Sequence, residues 1–126
     1  MGKGKVLVVD DQPMVRETIE DILNREGYDI TSVSNGEDAL ALMRKKKFDV
    51  LLSDIRMPGM SGLDLIEKAR REIPDIISIL LTAYPSVDSI DQAIIRLGVF
   101  DYLLKPVRRE KLCETVAKAM EREKAT

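Results

Sequence analysis

Short apolar runs, each closed by a polar residue and followed by a segment with helical spacing, constrain this chain more than any other feature. Val6–Val9 ends at Asp10-Asp11, Val50–Leu52 leads through Ser53 to Asp54, and Ile76–Leu81 ends at Thr82. Runs of this length are too short for core helices, and their unbroken apolar character suits strands buried on both faces. Between them, apolar residues recur at helical intervals: Val15, Ile19, Ile22 and Leu23; Ala39, Leu40 and Met43; Leu65, Ile66 and Ala69; Ile90, Ala93, Ile94 and Leu97. A weaker strand is expected over Tyr28–Val33 and a short fifth over Tyr102–Leu104, followed by a last helix from Arg108 to Glu121 burying Leu112, Val116 and Met120. Strand and helix alternate five times with short connections. That pattern predicts an α/β domain, doubly wound on a parallel sheet. A single domain over residues 1–126, with its core at about 5–121, is expected.

Local signals support these boundaries. Pro13 suits the first turn of a helix and Gly27 its end. Asn35-Gly36 opens the second helix, Ser61 is placed to cap the third, and Ser86 is read as the cap of the fourth, which Gly98 terminates. The segment Phe48–Gly62, FDVLLSDIRMPGMSG, places a carboxylate at a buried strand's carboxyl end, where Pro58-Gly59 and Ser61-Gly62 turn the chain over the sheet. In open α/β sheets that rim is where ligands bind.

Polar residues with chemical potential gather at the same rim. Strand one supplies Asp10 and Asp11, strand three Asp54, strand four Thr82 and strand five Lys105. Any of these alone is ordinary: an acid caps a helix or forms a turn, a threonine ends a strand, a lysine is solvated. Their joint recurrence at strand ends is not. If strand one lies beside strand three, three carboxylates meet and repel, and a hard divalent cation bound by oxygens relieves them. Mg²⁺ suits few carboxylates, several waters and a phosphate-like ligand. Such a site fits phosphoryl transfer, with Asp54 as nucleophile because glycine and proline leave space beside it, and with Thr82 and Lys105 reaching the phosphoryl oxygens.

Composition narrows the alternatives. The chain has no histidine, which removes His-based acid–base catalysis and Cys/His zinc sites, and one cysteine, Cys113, which removes an internal disulfide. Lys+Arg of 20 against Asp+Glu of 22 gives no electrostatic reason for direct contact with nucleic acid or an anionic membrane. No apolar run approaches spanning length, and the amino end leads straight into a strand, so no signal peptide and a cytoplasmic location are expected. Arg44–Lys47 is read as a solvated helix end, and Met57 and Met60 as loop packing.

The motifs VLVVDD, SDIRMPGMSG, LLTAY and FDYLLKPV, in this order, resemble the receiver domain of bacterial two-component response regulators, from Lys5 to about Glu121. The run AYPSVDSIDQAIIRLGVFDYLLKPV is most similar to receivers of the NtrC class of transcriptional activators. The resemblance implies a flavodoxin-like (βα)5 fold with strand order 2-1-3-4-5. It implies that a sensor histidine kinase donates a phosphoryl group to Asp54, that Asp11, Asp54 and the backbone carbonyl at Arg56 hold Mg²⁺ with Asp10 completing the acidic pair, and that Thr82 and Lys105 complete the site. It further implies that the Lys105–Pro106 peptide is cis, where roughly 5–6% of X–Pro bonds in folded proteins are. Tyr102 is implied as the aromatic switch that follows Thr82. The face made by helix four, strand five and helix five would control an output domain or downstream partner, or a homodimer, with Ile95, Val99 and Phe100 as candidate surface residues, core packing being the alternative for most of them. Ala83 is small enough to leave access to the phosphate. Two roles are open to the Arg56 side chain: shielding the acyl phosphate or contacting it. Two other functions were weighed. A phosphohydrolase with an aspartyl-phosphate intermediate would commonly place its two aspartates on strand one with one residue between, whereas Asp10 and Asp11 are adjacent. An interaction module without phosphorylation would normally lack the acceptor or the lysine.

Overall fold

Alternating side-chain direction along five parallel strands decides the architecture. The computed structural model describes residues 3–125; Met1, Gly2 and Thr126, and with them the start of the amino-terminal segment, lie outside the described residues. The order is β1 (Lys5–Val9), α1 (Pro13–Arg25), β2 (Asp29–Val33), α2 (Gly36–Lys45), β3 (Val50–Asp54), α3 (Gly62–Glu72), β4 (Ile77–Thr82), α4 (Ile90–Leu97), β5 (Asp101–Leu104) and α5 (Arg109–Ala125). The strands form one sheet in the order β2-β1-β3-β4-β5, all neighbours parallel. Because successive residues of a strand face opposite sides, Val6 and Val8 join one core with Ile19, Leu23, Leu112 and Val116. Leu7 and Val9 join the other, with Leu40, Leu65, Ile66 and Leu97. Helices α1 and α5 cover the first face and α2, α3 and α4 the second. No helix among the described residues is long and apolar enough to cross a membrane.

The helix starts follow local chemistry. Asn35 Oδ1 accepts from the Asp38 N–H at 2.8 Å and Ser61 Oγ from the Asp64 N–H at 3.1 Å, each satisfying an otherwise orphaned first-turn donor. Pro13 occupies the first helical position of α1. The α4 start departs from the sequence expectation. Ser86 does not cap it; residues 85–89 form successive turns and the helix begins at Ile90 after Ser89, whose side chain makes no capping bond. The reason lies in the backbone: Ser89 is in the left-handed region at φ 52° and ψ 49°, which a right-handed helix cannot pass through, so the turns before it do not join α4. Gly98, in the left-handed region, ends α4 as expected.

Three smaller readings change as well. Helix α5 runs beyond Glu121. Arg44 is not merely solvated: its guanidinium grips Glu72 through two hydrogen bonds of 2.7 and 2.9 Å, tying α2 to α3. Among the candidate surface residues, Val99 is buried and Phe100 is partly buried against the α1/α5 core, so both serve packing, while Ile95 is exposed. Met57 is buried and Met60 packs partly against the core.

Candidate functional site

Strand register brings the rim residues together. Val9 pairs with Ser53, Asp54 with Leu81, and Thr82 with Leu104. The polar residues therefore lie at, or within two residues beyond, the ends of four adjacent strands, β1, β3, β4 and β5. Asp10, fully buried, Asp54, 8% exposed, and the exposed Asp11 each present a carboxylate oxygen within 4.8 Å of the others. Lys105 Nζ lies 2.7 Å from Asp10 Oδ2 and 3.0 Å from Asp54 Oδ2. Lys105 is aimed by the chain that follows β5, where its peptide to Pro106 is cis and its N–H donates to the Thr82 carbonyl at 2.9 Å. Tyr102, on β5, is partly buried against the α2/α3/α4 core.

The two oxygens of Asp10 are treated differently. Oδ1 accepts from the Gln12 N–H at 2.9 Å, whereas Oδ2 has the nearby Lys105 ammonium as an ionic neighbour but no well-aligned hydrogen bond. A buried anionic oxygen left this way, beside two further carboxylates, is a donor set suited to a hard divalent cation. The residues present fit Mg²⁺.

Electrostatics in the cluster favour the same reading. Burial pushes the Asp54 carboxyl pKa up; Lys105 pulls it back by hydrogen bond and charge, Asp10 raises it further, the Arg56 N–H lowers it, and the net direction is upward. For Lys105, burial works to lower the ammonium's pKa, but bonding and charge from Asp10 and Asp54 prevail and leave it raised. A carboxyl whose folded pKa is raised carries no folding penalty below its unfolded pKa and the full penalty above its folded one. Asp54→Asn is therefore expected to be more stable than the parent at neutral pH without divalent metal. The gain should be about 1 kcal/mol, a melting temperature higher by roughly 4 °C, and should shrink as pH falls through the carboxylate range. Thermal denaturation in chelator across pH checks this, and a lower melting temperature at pH 7 would contradict it.

The site opens through a cleft of about 330 Å³ lined by Asp11, Asp54, Arg56, Thr82, Ala83 and Lys105 among others. Ala83 is exposed there, leaving room above Asp54. Two side chains on its wall are committed elsewhere. Thr82 Oγ1 donates to Asp88 Oδ2 at 2.6 Å and accepts from the Tyr84 N–H at 3.0 Å. Arg56 Nε and Nη2 lie 2.9 and 2.8 Å from the other Asp88 oxygen, Oδ1. In this conformation the Arg56 side chain contacts Asp88, a cleft residue that sequence reasoning missed. Its position inside the polar loop PSVDS carries no spacing signal, and its partner Arg56 is distant along the chain.

This geometry has known counterparts. The response regulator receiver domain family matches residues 6–117. The chain belongs to that family. The receiver domain is 40% identical over 120 residues to the response regulator protein PilR of Pseudomonas aeruginosa, covering 95% of this chain and 27% of PilR. It is 39% identical over 120 residues to the DNA-binding transcriptional regulator NtrC of Salmonella typhimurium, covering 95% of this chain and 25% of NtrC. The chain thus spans about a quarter of the length of these curated relatives. Among solved structures, the chemotaxis response regulator CheY4 of Vibrio cholerae matches this receiver domain with a TM-score of 0.84 at 30% identity, covering 92% of this chain and 98% of CheY4.

Proposed function

We propose that this receiver domain is a phosphorylation-controlled switch in which Asp54 accepts a phosphoryl group from the phosphohistidine of a sensor histidine kinase. The observation that carries the reading is the convergence of Asp11, Asp54 and Lys105 on one open cleft, with the fully buried Asp10 paired to Lys105 beneath it. An Asp54 oxygen attacks phosphorus, the P–N bond breaks, and its electron pair leaves with the imidazole nitrogen. The Lys105 ammonium, already between Asp10 and Asp54, moves to a phosphoryl oxygen, and the Thr82 hydroxyl donates to another. Asp10, Asp11, Asp54 and the Arg56 backbone carbonyl are the residues that would hold Mg²⁺, which when bound neutralises charge on the phosphoryl oxygens. The chain catalyses no reaction other than its own phosphorylation and dephosphorylation.

The switch works by local charge biasing a two-state element. Aspartyl phosphate adds charge and acceptor oxygens beside Thr82; Tyr102 follows the space that Thr82 vacates, and the face of α4, β5 and α5 is altered. That face would control an output domain or downstream protein, as befits similarity to transcriptional regulators, or pair with a second copy. We assign the chain a single receiver domain over residues 1–126, acting in the cytoplasm without direct contact with nucleic acid or membrane.

Intact-protein mass spectrometry after incubation with Mg²⁺ and acetyl phosphate tests the reading. One phosphoryl adduct is expected, dependent on Mg²⁺ and absent from Asp54→Ala. An adduct that persists in Asp54→Ala, or no adduct and no phosphate release from the folded parent, sinks it.

A further inference from the structure

Asp88 is a carboxylate with a 5% exposed side chain, and both of its oxygens are taken by residues of the proposed phosphorylation site. We propose that the Arg56–Asp88–Thr82 bridge is a latch holding the unphosphorylated state, and that phosphorylation of Asp54 opens it by taking the Thr82 hydroxyl away from Asp88. The proposal rests on the reading of Asp54 as phosphoryl acceptor and names how that same site is regulated.

A threonine hydroxyl has one hydrogen to donate, and here it is given to Asp88 at 2.6 Å while the Tyr84 N–H occupies one of its lone pairs. It cannot at the same time donate to a phosphoryl oxygen on Asp54. A choice between two acceptors is thus built into the side chain, and a charge-assisted bond to a largely buried carboxylate is a strong competitor.

Arg56 belongs to the segment after β3, Thr82 ends β4, and Asp88 belongs to the turns before α4. The bridge therefore ties the loop beside the acceptor to the start of the helix whose face is to change. Losing the Thr82 bond frees Asp88 from β4 and leaves it held by the exposed Arg56 side chain.

The backbone next to the bridge is strained. Ser89 follows Asp88 with φ 52° and ψ 49°, the left-handed region that a residue with a Cβ adopts at a cost, and with no capping bond in return. Such a conformation persists where its surroundings over-determine it. Here the inward-turned Asp88 side chain is the adjacent restraint, so its release lets the α4 start relax.

The decisive experiment compares the parent with Asp88→Ala, Arg56→Ala and the double variant. Hydrogen exchange is read on the unphosphorylated, metal-free full chain, and Asp54 adduct formation with acetyl phosphate and Mg²⁺ is read separately. Asp88→Ala is expected to exchange its amides over residues 84–90 about tenfold faster, the worth of one charge-assisted hydrogen bond. It should also form the Asp54 adduct faster, by a comparable factor, since Thr82 no longer has to be drawn from a competitor. Arg56→Ala is expected to loosen the same amides, and to add nothing on top of Asp88→Ala. Because Arg56 is exposed, that variant also keeps the test readable if Asp88→Ala folds poorly. Unchanged exchange over residues 84–90, an unchanged adduct rate in Asp88→Ala, or fully additive effects in the double variant would each overturn the latch. A folded parent that forms no adduct and releases no phosphate overturns the functional reading and the latch together, an outcome visible without any variant.

Discussion

Gly62→Ala is expected to lose about 3 kcal/mol of stability, the upper end of what an overpacked methyl costs, and to melt roughly 10 °C below the parent. A Cβ at this position would overlap the Asp54 carbonyl oxygen and stand 2.8 Å from its carbon and 2.9 Å from the Ile55 Cα. These are backbone atoms of a central strand and its first loop residue, so no side-chain rotation relieves them. The close approach is itself structural: the Gly62 N–H donates to the Ile55 carbonyl at 2.8 Å, pinning the start of α3 against the end of β3. Relief requires moving either α3 or the strand end that carries Asp54, so Mg²⁺ affinity should fall along with stability. Gly36→Ala is the internal comparison. A Cβ there meets the Met60 side chain, at 2.9 Å from its sulfur and 3.1 Å from its Cβ, and a methionine can repack where backbone cannot. Chemical denaturation of both variants decides the matter, and a Gly62→Ala loss no larger than that of Gly36→Ala would show that the α3–β3 contact is looser than described.

The two glycines illustrate what could be read from the chain and what could not. Gly62 was legible as a turn residue and as part of the buried side of α3, but the close approach of Asp54 depends on how α3 lies across the end of β3, which no local pattern encodes. The strands were legible because continuous apolar runs admit few alternatives, and strand-end placement made Asp10, Asp11, Asp54, Thr82 and Lys105 visible as a set. Their order across the sheet followed from resemblance rather than from the pattern of the runs. Asp88 was invisible for a different reason. Its partners Arg56, in the segment after β3, and Thr82, at the end of β4, are distant along the chain, and an acid in a polar loop is ordinarily solvated. The mistaken cap at Ser86 has another origin: Ser89 takes a left-handed backbone that a serine gives no local reason to expect, and the helix starts only after it.

Cross-strand ionic contacts give Lys105→Ala a large expected effect of a different kind. Lys105 is the cation beside Asp10 and Asp54, and its side chain is 17% exposed while that of Asp10 is fully buried. Removing it leaves Asp10 Oδ2 with neither a hydrogen bond nor that charge. Breaking a buried pair from one side costs about 3–5 kcal/mol, and the partial exposure of this site argues for the lower figure. The sign with pH follows from the direction of the shift. Lys105 has a raised folded pKa, so its contribution is complete at neutral pH and is lost only as pH rises through that folded value. The deficit of the variant should therefore be full at pH 7 and fade in acid, where protonation of Asp54, whose pKa is raised, removes a charge that the lysine opposes. A divalent cation can take over part of the lost neutralisation, so Mg²⁺ should raise the melting temperature of Lys105→Ala more than that of the parent. Melting curves with chelator and with Mg²⁺, at neutral and acid pH, separate these contributions. If Mg²⁺ stabilised the variant no more than the parent, the lysine and the metal would not be sharing one anionic cluster, and the placement of both in the proposed mechanism would have to be abandoned.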